Sequence, residues 1–99
     1  MSIIVRPQVN VNAGDLAFCP VTNRAGFFKR SGLSGDEIEV VDNGVYIVAV
    51  MGAEALYVEQ QLYISTIGAP TTEVTSRPLG VIRAVMDHDN RTASVEINA

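Results

Sequence analysis

Apolar residues along this chain fall into short runs. Glycine, asparagine, aspartate or proline separates them at intervals of about ten residues, which is typical of the strands of a β-sandwich or β-barrel. Valine, isoleucine and threonine supply 28 residues against 5 leucines, and β-branched side chains lose less rotamer freedom in a strand than in a helix. The pattern predicts an all-β fold, a small compact β-barrel or β-sandwich of short antiparallel strands.

Several of these runs have clear boundaries. Phe18 and one of Phe27 or Phe28 are expected to anchor the core, because aromatic side chains bury large areas. The last two runs predict a closing hairpin that turns through residues 88–91. The predicted strands are 16–21, 26–30, 37–41, 45–51, 61–65, 79–87 and 92–98.

Residues 45–51 form the longest apolar run, Val-Tyr-Ile-Val-Ala-Val-Met. Such a run suggests that both faces of the strand are covered, one by the core and the other by the opposite wall or a partner. We expect it to be the most buried segment of the chain.

The connections between the strands carry turn residues. Asn43-Gly44 predicts a hairpin between the strands on either side, since this pair tolerates positive φ. Residues 53–60 are compatible with one helical turn or with a wide loop. Residues 67–78 predict a loop that holds a short pairing segment at residues 73–75.

The beginning of the chain is extended but contains Pro7. Proline lacks a backbone N–H and is confined to an edge strand or an arm. Residues 1–12 are therefore predicted to form an extended N-terminal arm or an edge strand, and residues 13–99 a single β-barrel or sandwich domain.

Composition narrows the function classes. Hydrophobic residues make up 47% of the chain and charged residues 18%, so it can bury enough surface to fold, and exposed apolar residues would mark contact sites. The net charge of −4 works against binding nucleic acid. No apolar run reaches the ~20 residues that span a membrane, and no secretory signal opens the sequence, so we expect a soluble protein made in the cytoplasm of its host.

Few residues could carry chemistry. Cys19 is the sole cysteine, which excludes an internal disulfide and a zinc site made of several cysteines. Its position in an alternating strand beside Pro20 is typical of a small buried thiol. His88 lies among Asp87, Asp89 and Asn90 in a predicted turn, where adjacent side chains rarely converge on one ion. We therefore predict that the chain has no catalytic residue, no metal site and no cofactor, and that it is not an enzyme.

Short turn and strand motifs follow one another in a fixed order from Gly14 onward. They are Gly14-Asp15-Leu16, Ala25-Gly26-Phe27-Phe28, Gly35-Asp36-Glu37-Ile38-Glu39-Val40, Asn43-Gly44-Val45-Tyr46, Leu62-Tyr63-Ile64, Leu79-Gly80-Val81-Ile82 and Ala93-Ser94-Val95-Glu96-Ile97. This order resembles the phage capsid decoration, or cement, proteins of the DUF2190 type. Gln60-Gln61 departs from the pattern, since similar proteins often have Gly-Asp before the tyrosine-containing strand.

The resemblance implies a structural virion protein on the outer surface of an icosahedral phage head. It would stabilise the capsid by bridging subunits of the major capsid protein, usually as a homotrimer, with neither nucleic acid nor membrane as a partner. The alternatives are another phage structural β-module, from a tail or baseplate, and, from another class, a small nucleic-acid-binding β-barrel or a metal-dependent enzyme.

The candidate for the grip on the capsid is the extended start of the chain. An unpaired apolar arm can add a strand to the sheet edge of a neighbour. The alternative is that this segment is simply the first strand of the barrel. The candidate partner-binding residues are Ile3, Ile4, Val5, Arg6 and Pro7.

Overall fold

The computed structural model describes residues 3–19 and 21–99. The regular elements in these residues are β-strands, arranged in two antiparallel sheets that curl into half-barrels. The predicted all-β fold is therefore confirmed. The four-stranded sheet contains, in spatial order, β1 (Ile3–Val5), β4 (Ile38–Val41), β3 (Arg24–Phe28) and β2 (Leu16–Cys19).

The second sheet has five strands. In spatial order these are β5 (Val45–Ala49), β9 (Thr92–Ile97), β8 (Pro78–Asp87), β6 (Gln61–Ile64) and β7 (Pro70–Thr71). The pairing of β8 with β9 confirms the predicted closing hairpin. The described residues contain no helix that is long and apolar enough to cross a membrane.

Alternation of apolar and polar residues builds the middle of the five-stranded sheet. Ala93, Val95 and Ile97 of β9 are buried, and the polar residues between them point to the other face. Gly80 of β8 lets the two strands approach closely, because a Cβ atom there would lie 2.1 Å from the carbonyl oxygen of Glu96. The sheet therefore requires glycine at this position.

The buried apolar side chains form two clusters. Phe28, in the smaller one, is 5% exposed, and Phe18 and Phe27 pack partly buried against the larger one, so the predicted aromatic anchors are confirmed. The main core consists of Ala25, Val50, Leu56, Leu62, Ile64, Leu79, Ile82, Ala93, Val95 and Ile97. The small core consists of Ala17, Phe28, Ile38 and Val40, with Ile3, Val5 and Val11 packed against it.

The side chain of Asn98 joins the two sheets. Its Nδ2 donates to the carbonyl oxygens of Ala25, at 2.8 Å, and Asp42, at 2.6 Å. Its Oδ1 accepts from the backbone N–H of Ala25 at 2.8 Å. Asn98 follows β9, whereas Ala25 lies in β3, so one amide satisfies backbone groups of the opposite sheet.

The predicted hairpin at Asn43-Gly44 is wrong, because β4 and β5 lie in different sheets. The chain crosses between the sheets here. Asp42 is buried and accepts a hydrogen bond from Arg24 Nε at 3.0 Å, which fixes the end of β4. Gly44 has φ of 106°, a conformation that favours glycine, and redirects the chain into β5. Asn43-Gly44, a pair typical of hairpin turns, thus forms the crossover between the two sheets.

The loop predictions have mixed outcomes. Residues 53–60 form a loop, which is one of the two alternatives. The pairing segment predicted at residues 73–75 is wrong, since the strand that pairs with β6 is β7. Thr75 instead donates its side-chain hydroxyl to the carbonyl oxygen of Ile64 at 2.8 Å. Its side chain thus takes the place that a paired backbone would have.

The prediction that residues 45–51 are the most buried segment is also wrong. Val45 is 55% exposed, Ile47 67% and Met51 44%. The reason is topological, because β5 is the first strand of its sheet and only its inward side chains meet the core. Val50 is the one residue of this run that is fully buried.

The start of the chain forms the edge of the four-stranded sheet. β1 pairs antiparallel with β4, with Ile3 opposite Val40 and Val5 opposite Ile38. Residues 3–5 therefore take the edge-strand alternative, and a free extended arm is not observed in the described part of the chain. Residues 1 and 2 of the predicted segment lie outside the described residues, and the boundary between 1–12 and 13–99 stays a prediction.

Candidate docking surface

The outward face of β5 is the most prominent apolar surface on a regular element. Val45, Ile47 and Ala49 point outward and are exposed, whereas Tyr46 and Val48 pack against the main core. The ring of Tyr46 lies 4.5 Å from that of Phe27, between centroids, and so anchors the strand to the other sheet. The inward residues hold β5 in place and leave its other face open.

The backbone of β5 is also open on one side. Ile97 donates its N–H to the oxygen of Gly44 at 3.1 Å, and Val50 donates to the oxygen of Arg91 at 2.8 Å. In an antiparallel pair such bonds alternate along the strand, so the backbone groups of Tyr46 and Val48, the even-numbered residues of β5, face β9. The N–H and C=O groups of Val45, Ile47 and Ala49 therefore point to the free edge.

This free edge is five residues long. Beyond it, Met51 donates its N–H to Pro70 at 2.9 Å and accepts from the N–H of Thr72 at 3.2 Å, in a parallel bridge to β7. The first and last strands of the five-stranded sheet therefore meet at one end and separate at the other. The open part coincides with β5 itself.

Sheet edges usually carry charges or proline that discourage pairing with other chains. β7 contains Pro70, β2 is followed by Pro20 in the sequence, and β1 is followed by Arg6 and Pro7. Between residues 43 and 53 the sequence has neither a charged residue nor a proline. The edge of β5 is thus the one without these features, and its chemistry suits the addition of a strand from another protein.

The five residues predicted to grip a partner are placed together, but most are already engaged. Ile3 and Val5 pack against the small core, Pro7 is buried, and Arg6 forms an ion pair with Glu37. The carbonyl oxygen of Pro7 accepts a hydrogen bond from the N–H of Gly35 at 2.8 Å. Ile4, at 62% exposed, is the predicted apolar residue that points outward.

A groove of about 840 Å³ runs between β1 and β2. It separates the two edges of the curled four-stranded sheet, next to the small core. Its lining includes Ile4, Val5, Pro7, Leu16, Phe18 and Cys19.

Cys19 lies on the wall of this groove and is half-buried, more exposed than the predicted buried thiol. Hydrogen bonds from the side chain and backbone of Thr22 lower the pKa of the thiol, because they stabilise the thiolate.

The turn that contains His88 is structural. Asp87 Oδ1 accepts the backbone N–H groups of Asp89, at 2.9 Å, and Asn90, at 3.2 Å, and Oδ2 accepts from Asn90 Nδ2 at 2.8 Å. These bonds from Asn90 and Asp89 lower the pKa of Asp87. Within residues 3–19 and 21–99, no group of three or more histidine, cysteine, aspartate or glutamate side chains could hold a metal ion.

Sequence reasoning predicted residues 45–51 to be the most buried segment, with the opposite wall or a partner over the outer face, whereas the outer face of β5 is exposed in this chain. Both faces of the strand are apolar in the sequence, so alternation could not tell the inward side from the outward side. The available signal was the absence of charged residues and proline from residues 43–53, and it was interpreted as burial.

No protein-family model matches the sequence, and neither a curated protein nor a solved structure matches it. The functional argument therefore depends on the geometry described above and on the order of sequence motifs.

Proposed function

We propose that this chain is a structural protein that decorates the outer surface of an icosahedral phage head and stabilises it by bridging subunits of the major capsid protein. The observation that carries the proposal is the edge of β5, an uncharged strand with open backbone groups and an exposed apolar face. The motif order that resembles capsid decoration proteins supports the choice of partner.

Stabilising a capsid in this way requires interfaces of only moderate size between the protein and each capsid subunit. A protein that binds the assembled shell and not its free subunits stabilises the shell by mass action. Simultaneous contacts with adjacent subunits add avidity beyond any single interface, which is on the order of 1,000–2,000 Å² in stable complexes. Association of the chain with itself, as a homotrimer, would place several such contacts on one particle.

In this proposal β5 pairs with an extended segment or a sheet edge of a capsid subunit. The N–H and C=O groups of Val45, Ile47 and Ala49 would supply the backbone hydrogen bonds, and their side chains the apolar contact. Because β5 is fixed by Tyr46 and Val48, binding would order little of the chain and so would cost little conformational entropy.

The test is co-sedimentation of the purified protein with heads assembled without it, followed by heating of the mixture. We expect binding near one copy per capsid subunit and a higher rupture temperature. Heads that neither bind the protein nor gain stability would overturn the proposal, and binding to isolated tails or baseplates instead would favour the other phage structural role.

A matched pair of variants locates the surface. Ile47→Lys places a charge on the exposed face of β5, and Ile4→Lys makes the same change at a similarly exposed position of β1, 62% against 67%. We expect Ile47→Lys to weaken binding to heads by roughly tenfold or more, and Ile4→Lys to change it little, because only the first alters β5. The reverse result would move the contact to the predicted grip at the start of the chain.

Deleting the first residues would be a less specific test of that grip. The side chains of Ile3, Val5 and Pro7 contribute to the small core or are buried, so their removal would disturb the four-stranded sheet. The lysine substitution at Ile4 leaves these contacts in place.

A further inference from the structure

The crossover between the two sheets contains the Asn-Gly pair of this chain, Asn43-Gly44, and its local geometry sets it apart from the other asparagines. Asn43 is exposed, and its side chain makes no hydrogen bond to any residue that the structure describes. The backbone N–H of Gly44 likewise donates to none of the described residues. Neither group is therefore held by a hydrogen bond within the described chain.

Each of the other five asparagines lacks this freedom. The side chains of Asn10, Asn90 and Asn98 are hydrogen-bonded to Ser34, to Asp87, and to Ala25 with Asp42, respectively. For Asn12 and Asn23 the amide of the next residue is engaged instead. Ala13 donates its N–H to Ser31 Oγ at 3.2 Å. Arg24 lies opposite Cys19 in a ladder where Phe28 donates its N–H to Asp15, so alternation directs the N–H of Arg24 to Cys19.

From this contrast we propose that Asn43 is a site of spontaneous deamidation, a modification that uses water alone. The backbone nitrogen of Gly44 loses its proton to hydroxide and attacks the side-chain carbon Cγ of Asn43. A C–N bond forms and closes a succinimide ring while the bond from Cγ to Nδ2 breaks. The side-chain nitrogen leaves as ammonia with a proton from water. A second water then opens the ring at either carbonyl, which gives aspartate or isoaspartate.

Glycine at position 44 promotes this reaction in two ways. It has no Cβ atom to hinder the approach of its own nitrogen to Cγ, and it adopts the positive φ that the crossover requires. Its neighbour Asn43 is held at the carbonyl oxygen, which accepts the hydroxyl of Tyr46 at 2.9 Å, so the side chain is left as the mobile part.

The product changes the crossover at Asn43-Gly44, where the chain passes from one sheet to the other. Either form adds a carboxylate beside Asp42, which is buried and already paired with Arg24. Isoaspartate also routes the backbone through the side chain of residue 43, which adds one carbon to the chain ahead of Gly44 and turns the carbonyl that accepts the Tyr46 hydroxyl into a free carboxylate. The modified chain is therefore less stable, and it loosens where β4 leads into β5.

The test is incubation of the purified protein in mildly alkaline buffer at physiological temperature, with peptide mass spectrometry at intervals. We expect conversion at Asn43 to be roughly tenfold or more faster than at any of the other five asparagines, since hydrogen-bonded sites must open before they react. We expect isoaspartate among the products and a rate that rises with pH. Comparable rates at all six sites, or a faster site elsewhere, would overturn the proposal.

Two variants separate the chemistry from its consequence. Asn43→Gln retains an amide but forms the corresponding ring far more slowly, so its thermal midpoint should stay constant over the same incubation while that of the wild-type protein falls. Asn43→Asp carries the new charge from the start and should melt below the fresh wild-type protein. If the wild-type protein converts at Asn43 without any fall in its thermal midpoint, the proposed loss of stability at the crossover is wrong.

Discussion

The five-stranded and four-stranded halves of this molecule have hydrophobic cores of different size. The main core contains ten buried side chains, nine of them from the five-stranded half and the segments that follow its strands. The small core has four, and a groove of about 840 Å³ opens beside it. Since burial of apolar surface is the dominant stabilising term in folding, the four-stranded half is expected to be the weaker one.

This difference bears on the two candidate contact surfaces. β5 belongs to the well-packed half, whereas β1 belongs to the half with the small core. A contact strand on the well-packed half is expected to lose little conformational freedom on binding, and a strand on the half with the small core is expected to lose more. The comparison between the halves therefore favours β5 as the place where a partner docks.

The largest effect is expected from removing one core side chain in each half. Ile82 and Ile38 are both fully buried. Ile82→Ala should lower the free energy of unfolding by about 4 kcal/mol, and Ile38→Ala by about 2–3 kcal/mol. The second is smaller because Val5 and Phe28, its neighbours in the small core, line the groove and can shift. Chemical denaturation measures both, and a larger loss at Ile38 would contradict the ranking of the halves.

The next effect concerns the hydrogen bonds of Asn98, which link the two sheets. Asn98→Ala removes three hydrogen bonds and should cost about 2 kcal/mol, because the backbone groups of Ala25 are left without this partner. Unfolding followed by two probes, one in each sheet, should become less cooperative. The matched control is Asn12→Ala, at an exposed position, with an expected change within about 0.5 kcal/mol. Equal losses in the free energy of unfolding for the two variants would show that the Asn98 side chain does not link the sheets.

A smaller difference should be visible in the wild-type protein by amide hydrogen exchange. The amides of β8 and β9 lie in the middle of the five-stranded sheet, and we expect them to exchange most slowly. Those that pair β1 with β4 should exchange roughly tenfold or more faster, through local opening of the weaker half. Uniform protection across both sheets would show that the molecule opens only as a whole.

The smallest effect is a dependence on pH within the stronger half. The pKa of Asp87 is lowered in the folded protein by hydrogen bonds from Asn90 and Asp89. This carboxylate therefore contributes stability above its unfolded value of about 3.8, and the contribution disappears as the pH falls through the folded value. The thermal midpoint of Asp87→Ala should lie below that of the wild-type protein at neutral pH and approach it in acid. A constant difference between the two at every pH would contradict this assignment.

Local patterns predicted the strands well. The hairpin of β8 and β9 follows from apolar residues alternating with polar ones around a polar turn, and such a signal involves neighbours in sequence only. Phe28 could be assigned to a core for the same reason. The choice between one sheet and two could not be made in this way, because it depends on contacts between distant residues.

Two errors have this common origin. Asn43-Gly44 has the residues of a hairpin, but the strands on either side of it pair in different sheets, and Arg24 and Asn98 hold Asp42 at the crossover. The apolar run at β5 is typical of a buried strand, and only its position at the sheet edge exposes it. For the candidate site, sequence reasoning placed the contact with the capsid at Ile3 to Pro7 and gave residues 45–51 a partner as one of two alternatives, whereas Ile47 lies on the strand with the open edge.

The bond between Asn98 and Ala25 also has a consequence for the order of folding. It closes a loop of 73 residues, whose closure costs about 2 kcal/mol more chain entropy than that of the short turns within each half. We therefore expect the hairpins of β2 with β3 and of β8 with β9 to form first, and the contact that joins the halves to form after the rate-limiting barrier. Loss of the Asn98 side chain should then accelerate unfolding while leaving the folding rate nearly unchanged.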